Sequence, residues 1–443
     1  MRIIHLTAGA GGRICGSCLH DNTLVRALRR EGVDAILLPA YIPTTTDEEN
    51  VAEHRVVLGG VNVWLQENLP LFRHTPRFID RVFDSTRLLR WLSNRTVAMK
   101  PATLGSLTIS SLLGEEGRHR KEVLNLVRCL TEDYGPDVVH LSNLLLCGLA
   151  PAVRRSVSAA IVCTLSGEDL FIDQLAPADR SRVEQLIARQ ASAVDRFVAL
   201  DRFYLKECVR RFGLPEERCE VIPHGVDLEG FPDFVRRRES GSRTGLTDGV
   251  VRIGFLSRIC HEKGLHVLID AMGMLLAAGR SVELWVAGAT IESERGYIDA
   301  CIKRAGERGL VEERLKWLGQ VDRAGKLSFY ESVDLLAAPA LHPEAKGLPV
   351  LEACAAGVPV VASDSGAFPE YIGESSTDER GLLHEPGSAA ALAARIATLL
   401  DDPDRIERMG QAAHAVARSH YSAGLMASRH LQMYERMVAV RGA

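Results

Sequence analysis

At 443 residues the chain is too long for one ordinary hydrophobic core, so two or three domains are expected. Apolar residues make up 46% of it and charged residues of both signs 25%, a balance that excludes a disordered or fibrous protein. The net charge of -4 provides no basic field that would attract nucleic acid, so no nucleic-acid partner is expected.

The amino-terminal run MRIIHL ends at a glycine-rich stretch, which predicts a buried first strand rather than a signal peptide. No apolar run in the sequence approaches the roughly 20 residues that span a bilayer. The ten cysteines are scattered, which is typical of a reducing compartment. We therefore expect a cytoplasmic protein that is either soluble or peripheral on the inner membrane face.

Short apolar runs alternate with longer amphipathic stretches along the whole chain. Most of the runs are continuous, as in strands covered on both faces, and their alternation with helices predicts parallel sheets wound on both sides. The predicted strands are Ile3–Leu6, Ala35–Leu38, Val61–Leu65, Val138–Leu141, Ala160–Leu165, Phe197–Leu200, Val251–Leu256, Val282–Ala287, Leu315–Leu318, Leu335–Ala338 and Val358–Ala362.

A polar, turn-rich segment around residue 240 divides this pattern. We predict a first domain at 1–235, a linker at 236–248 and a second domain at 249–420. Residues 421–443 are predicted to form a helix that joins either domain, including a return to the first. Because ligands of open α/β sheets lie at the carboxyl ends of the strands, the cleft between two such domains is the expected site.

The glycine-rich loop after the first strand does not have the spacing of a dinucleotide-binding loop. It lacks GxGxxG, and the second strand ends without the acidic residue that would hold a ribose, so NAD and FAD are not expected. In this loop Cys15 and Cys18 form one CxxC pair with His20 nearby, which is half a zinc site at best. The only Asp-x-Asp sequence, a pattern that can bind a divalent metal, is at 402–404 in a predicted turn. We therefore expect no metal and no cofactor.

A basic amphipathic insert is predicted at about 68–120. Apolar residues recur in it at helical spacing beside many arginines. Two interpretations stay open: the apolar face packs on its own domain, or the segment lies on anionic lipid as a peripheral membrane contact.

Arg258 and Lys263 follow the predicted strand at 251–256, at its carboxyl end. Two cations five residues apart are what a departing diphosphate requires when no metal is present. An isolated pair of this kind is also consistent with a solvated basic turn.

A second group of residues follows the strand at 335–338. Pro349 suits the first turn of a helix, so the N–H groups of Gly347 and Leu348 would form an anion site at the helix start. Glu344 lies just before this site and Glu352 about one turn inside the helix. The pair could hold hydroxyls of a sugar and a ribose; alternatively, each is an ordinary solvated charge.

The stretch EAKGLPVLEACAAGVPVVAS, beginning at Glu344, resembles the donor site of the family 4 retaining glycosyltransferases, with two glutamates eight positions apart and a GxPVVAS strand. The segment SRICHEKG resembles the GRxxxxKG element of that family, with Ser257 in place of glycine. Lys346 stands where the family usually has an aromatic residue. The resemblance covers the whole second half strongly and the first half more loosely.

The resemblance implies a GT-B fold, with two doubly wound Rossmann-like domains facing across a cleft. It assigns Arg258 and Lys263 to the donor phosphates, and Gly16, at the end of the first glycine-rich loop, to the donor diphosphate. On the acceptor side, family histidines correspond to Ser142 and Ser166. His140 matches the family pattern but lies in an apolar run, which favours a core histidine.

These observations predict a metal-independent transferase that moves a sugar from a nucleotide-diphosphate donor with retention of anomeric configuration. The acceptor is expected to be a carbohydrate, a lipid-linked molecule or a small molecule, and no motif selects among UDP, GDP and ADP. Two alternatives stay open. One is a nucleotide-sugar-binding protein without transferase activity, and the other is a phosphorylase or epimerase on the same fold.

Overall fold

The computed structural model describes residues 1–9, 15–68, 101–231, 249–373 and 379–442. They divide into two compact units, a first unit of residues 1–225 and 423–443 and a second unit of residues 226–422. Each unit contains one six-stranded parallel sheet with helices, so the predicted pair of doubly wound sheets is confirmed.

The first unit has the strand order β2-β1-β3-β4-β5-β6. Its strands are β1 Arg2–Thr7, β2 Asp34–Pro39, β3 Val138–Leu141, β4 Ala160–Leu165, β5 Arg196–Ala199 and β6 Cys219–Val221. Its helices are α1 Gly16–Arg30, α2 Gly60–Asn68, α3 Pro101–Leu113, α4 Arg120–Arg128, α5 Ala150–Ser156, α6 Asp169–Asp173, α7 Pro177–Ala191 and α8 Arg202–Phe212.

The second unit has the strand order β12-β11-β10-β7-β8-β9. Its strands are β7 Val251–Leu256, β8 Val282–Ala287, β9 Leu315–Gly319, β10 Leu335–Ala338, β11 Val360–Ser363 and β12 Gly381–His384. Its helices are α9 Leu265–Ala277, α10 Arg295–Glu307, α11 Arg323–Ser332, α12 Leu348–Ala355, α13 Phe368–Ile372, α14 Ala389–Leu400 and α15 Pro403–His420. The remaining helix, α16 Ala423–Gly442, belongs to the first unit.

The boundary between the units lies ten residues earlier than the predicted end of the first domain at 235. The Val226 N–H donates to Tyr421 O at 2.7 Å, and Phe231 is buried in the apolar core of the second unit. Residues 226–231 therefore pack with the second unit. The predicted linker at 236–248 and most of the basic segment at 68–120 lie outside the described residues, apart from α3 and the residues that follow it.

Helix α16 contributes to the core of the first unit. Met426, Met433 and Tyr434 are buried in one apolar cluster with Leu24 and Leu28 of α1. The unit therefore depends on two distant stretches of sequence for one hydrophobic core.

The predicted strand Val61–Leu65 is wrong, because these residues lie in helix α2. The buried side chains of α2 include Asn62, Val63, Gln66 and Glu67, which follow a helical and not an alternating period. Gln66 donates to Glu122 at 2.7 Å. The inward face of α2 is largely polar, so the periodicity of its apolar residues could not identify this segment as a helix.

Buried histidines line the core around α16. The His140 ring lies 4.4 Å from the ring of His5 and 5.8 Å from that of His430, measured between centroids, and all three side chains are 0% exposed. Burial lowers the pKa of His430 from 6.5 to about 4 and that of His140 well below 6.5. His140 and His430 are therefore neutral in the folded protein at neutral pH.

We expect the first unit to lose stability as the pH falls from 6.5 towards 4. The unfolded chain binds protons there that the folded core excludes, so the neutral histidines stabilise the fold above pH 6.5 and progressively less below it. The protonation of His430 alone would lower the free energy of unfolding by about 3 kcal/mol across this range. His430→Asn should flatten the decline, measured as hydrogen exchange of α16 against pH, whereas His54→Asn, which changes an exposed histidine, should not. An unchanged decline in His430→Asn would contradict this assignment.

Candidate functional site

The strand order of the second sheet reverses between β7 and β10, which are adjacent parallel strands although two other strands, β8 and β9, lie between them in the sequence. In doubly wound sheets this switch point forms a crevice at the carboxyl ends of the strands, where ligands bind. The loop after β7 contains Arg258 and Lys263, and the loop after β10 contains Glu344 to Gly347. Sequence elements that are some 80 residues apart therefore meet at one edge of the sheet.

Glycine at position 264 allows the two loops to approach. Its φ is +72°, and a Cβ there would lie 1.9 Å from the Pro339 carbonyl oxygen. The Leu341 N–H also donates to Glu262 O at 2.8 Å. The loop after β7 is thus held directly against the loop after β10.

Lys263 and Glu344 form an ion pair across these loops, with the lysine Nζ donating to Glu344 Oε2. The side chains are 22% and 17% exposed. Burial raises the pKa of Glu344, but the charge and hydrogen bond of Lys263, aided by Lys346, outweigh it and lower the pKa to about 2. The Lys263 ammonium is therefore paired with a carboxylate that stays ionised and that solvent still reaches.

Helix α12 begins beside this pair. Gly347 precedes its first residue, Leu348, with a φ of +58°, and a Cβ at 347 would lie 2.7 Å from the ring of Tyr371. The Lys346 N–H points to Glu344 Oε1 at 3.4 Å. A cavity of about 30 Å³ is lined by Lys263, Glu344 and Gly347, among others. The first N–H groups of α12 thus lie next to a cation, as an anion site requires.

Glu352 lies deeper, and only 4% of it is exposed. Its Oε1 accepts from Lys326 Nζ at 2.5 Å, and its Oε2 lies 3.1 Å from the Tyr330 hydroxyl. Both partners come from α11. Sequence reasoning missed Lys326. A lysine on an amphipathic helix is normally solvent-exposed, and no local pattern indicates that only 5% of this one is exposed.

Arg258 is exposed and lies near Cys260 and Glu262 in the same loop. Burial raises the pKa of Glu262, but bonds to the backbone and Cys260 and the charge of Arg258 together lower it. The loop after β7 therefore presents a second positive charge to solvent.

The corresponding switch point of the first sheet lies between β1 and β3. Ser142 follows β3 there, 1% exposed, with its Oγ 3.3 Å from the Ala8 N–H. Gly16 is the first residue of α1, after residues 10–14, which lie outside the described part of the chain.

Sequence reasoning also missed Glu168, a carboxylate that is 5% exposed at the end of β4. It accepts from the Leu144 N–H at 3.0 Å, the Ser166 N–H at 3.1 Å and the Tyr204 hydroxyl at 3.0 Å. Glu168 thereby joins the loops after β3 and β4. The signal available was an acidic residue three positions after a buried strand.

His140 is not available to an acceptor. Its Nδ1 lies 2.6 Å from the Tyr434 hydroxyl and its Nε2 2.7 Å from Thr164 Oγ1, in a fully buried position. His140 is therefore a core histidine, as its place in an apolar run favoured, with both ring nitrogens engaged there.

Two parallel six-stranded sheets of this topology are those of a GT-B protein, and solved structures support this fold. The structure of Anabaena HepE in complex with UDP and glucose matches 98% of this chain and 99% of its own with a TM-score of 0.68 at 18% identity. Sucrose-phosphate synthase from Thermosynechococcus elongatus matches 99% of this chain and all of its own, with a TM-score of 0.70 at 18% identity. The GT-B fold predicted from the sequence is confirmed.

Two family models match the chain. The model described as Glycosyltransferase Family 4 matches residues 109–229, and that described as Glycosyl transferases group 1 matches residues 237–416. Together the two matches cover about two thirds of the chain, which belongs to the family 4, or group 1, glycosyltransferases. The predicted family is confirmed.

Curated relatives share about a third of their aligned residues with this chain. The D-inositol 3-phosphate glycosyltransferase of Nocardia farcinica is 31% identical over 265 residues, which are 58% of this chain and 57% of the relative. The phosphatidyl-myo-inositol mannosyltransferase of Mycobacterium leprae is 35% identical over 232 residues, 51% of this chain and 58% of the relative. The chain thus aligns with little more than half the length of each.

Among the described residues, no helix is both long and apolar enough to cross a membrane.

Proposed function

We propose that this chain transfers a sugar from a nucleotide-diphosphate donor to an acceptor hydroxyl with retention of anomeric configuration. The Lys263–Glu344 pair beside the start of α12 is the observation that carries this proposal. It places a cation, a carboxylate and helix N–H groups at the switch point of a Rossmann-like sheet, where a nucleotide would bind.

Lys263 is proposed to stabilise the departing diphosphate. An ammonium group has three donors, so its bond to Glu344 leaves two directions for phosphate oxygens. The N–H groups of Gly347 and Leu348 and the exposed cation of Arg258 would add to this stabilisation. Charge that develops on the leaving oxygen would thus meet fixed donors, without a metal ion.

The carboxylates are proposed to hold hydroxyl groups. Glu344 would accept from the donor sugar, since it stays ionised and 17% exposed beside the diphosphate position. Glu352 would accept from the ribose, with Lys326 and Tyr330 fixing its orientation. Lys346, between Glu344 and the helix start, would contact the donor through its backbone, and Gly16 keeps its proposed role toward the diphosphate.

No strong protein base is required for this transfer. In a reaction on the face from which the leaving group departs, the phosphate oxygen can take the proton of the acceptor hydroxyl. Ser142 and Ser166 would then contribute position instead of basicity. The names of the relatives include inositol phosphates and phosphatidylinositol, so lipid-linked and free polyol hydroxyls are the acceptor classes to test first.

A nucleoside diphosphate should stabilise the protein equally with and without EDTA. At 100 times its dissociation constant the ligand should add about 2.7 kcal/mol to the free energy of unfolding. The measurement is a thermal-shift series with UDP, GDP and ADP, and the unphosphorylated nucleosides serve as controls. Stabilisation that disappears on chelation would contradict the metal-independent site.

The serines at 142 and 166 favour one alternative, a nucleotide-sugar-binding protein without transferase activity, because the family pattern has histidines there. Release of nucleoside diphosphate in the presence of a panel of hydroxyl acceptors distinguishes the two. Tight binding without any release would favour the binding protein.

A further inference from the structure

The CxxC pair lies at the start of α1, outside the proposed donor site of the second unit. Cys15 is the N-cap residue, with an extended backbone (φ -131°, ψ 139°), and Cys18 is the third residue of the helix. The Cys15 side chain makes no capping bond to a backbone N–H of the helix, and it hydrogen-bonds the Cys18 thiol instead.

The two sulfurs differ in access to solvent. Cys18 is 2% exposed, whereas Cys15 is partly exposed. The hydrogen bond to Cys15 and burial raise the pKa of Cys18, so Cys18 retains its proton. Cys15 lies at the amino-terminal end of α1, the end of a helix at which the dipole in general favours a thiolate. The pair thus combines an accessible nucleophile with a buried thiol in contact with it.

We propose that Cys15 and Cys18 form a redox-active dithiol that is oxidised by a low-molecular-weight disulfide of the glutathione class. The Cys15 thiolate attacks one sulfur of the disulfide, and one glutathione thiolate leaves and takes a proton. Cys18 then loses its proton to solvent and attacks the Cys15 sulfur, releasing the second glutathione. Two protein thiols become one disulfide while one glutathione disulfide becomes two glutathione molecules.

The other cysteines lack this combination. Cys147 and Cys163 have Sγ atoms 3.6 Å apart, but both are 0% exposed, so a disulfide reagent cannot reach them. Cys219 is partly exposed, but burial is the largest cause that raises its pKa to about 11, and its Sγ contacts Pro215 O. Cys219 therefore serves as an internal control of similar exposure.

The test is to incubate the reduced full chain with mixtures of reduced and oxidised glutathione, quench with acid, alkylate and map the peptides by mass spectrometry. We expect an intramolecular Cys15–Cys18 disulfide in the wild type. Cys18→Ser should stop at a Cys15–glutathione mixed disulfide, and Cys15→Ser should leave Cys18 reduced. Alkylation of Cys15 at neutral pH should be about tenfold or more faster than that of Cys219.

Three results would overturn the proposal. The first is a wild-type pair that stays reduced while Cys219 is modified, and the second is a mixed disulfide at Cys15 that Cys18 does not resolve. The third is stoichiometric zinc that protects both thiols from alkylation until it is chelated, which would make the pair a metal site. None of these readouts depends on sugar transfer, so the proposal stands or falls separately from the proposed function.

Discussion

Replacing Lys263 with alanine is expected to lower turnover at saturating donor by about 10²–10³-fold. The change removes a cation from the place where negative charge develops on the leaving diphosphate. It also removes the charge that holds the pKa of Glu344 at about 2, so that carboxylate is left beside the donor without its partner. Lys263→Arg, which keeps the charge, should recover part of the rate.

The measurement is release of nucleoside diphosphate, with the folding of each variant checked by circular dichroism. Lys316→Ala is a matched control, since this exposed lysine of the same unit lies 4.0 Å from the Trp285 ring centroid, away from the proposed donor contacts. Ser142→Ala should cost no more than about tenfold, or roughly 1.4 kcal/mol. A Ser142 variant as inactive as Lys263→Ala would show that position 142 has an essential role.

Replacing Lys326 with methionine is expected to destabilise the second unit by about 3–5 kcal/mol. The Nζ atom of Lys326 lies 2.5 Å from Oε1 of Glu352, and both side chains are nearly buried. Methionine fills a similar volume but removes the cation, so the cost of keeping the Glu352 carboxylate away from water is no longer offset.

Urea unfolding of the wild type and the variant measures this cost, and Lys316→Met is the control for loss of a surface lysine. The double variant Lys326→Met with Glu352→Leu should regain most of the stability, since it removes both charges together. If the single variant were as stable as the wild type, the Lys326–Glu352 pair would contribute nothing to the fold.

The sheets could be predicted from the sequence because their strands are continuous apolar runs. Strands such as β4 and β10 are covered on both faces, so composition alone identifies them. The three-residue strand β6 and the strand β12 were not predicted. Cys219–Val221 is too short to form a run, and Gly381–His384 is flanked by charge.

The residues of the proposed site could be predicted from the sequence only where they belong to a recognisable motif. Lys263 and Glu344 belong to two recognisable segments, and the switch point of the sheet brings them together. Lys326 and Glu168 belong to no such segment, and their importance comes from burial and from partners on other elements. Such contacts depend on tertiary packing, which local patterns do not encode.

The placement of α16 in the first unit has a consequence for synthesis on the ribosome. Residues 226–422 form one uninterrupted stretch, so the second unit can fold as soon as it has emerged. Residues 1–225 must wait until Met426, Met433 and Tyr434 follow, because these side chains complete their core. The amino-terminal unit is therefore the later of the two to finish folding, which reverses the usual vectorial order.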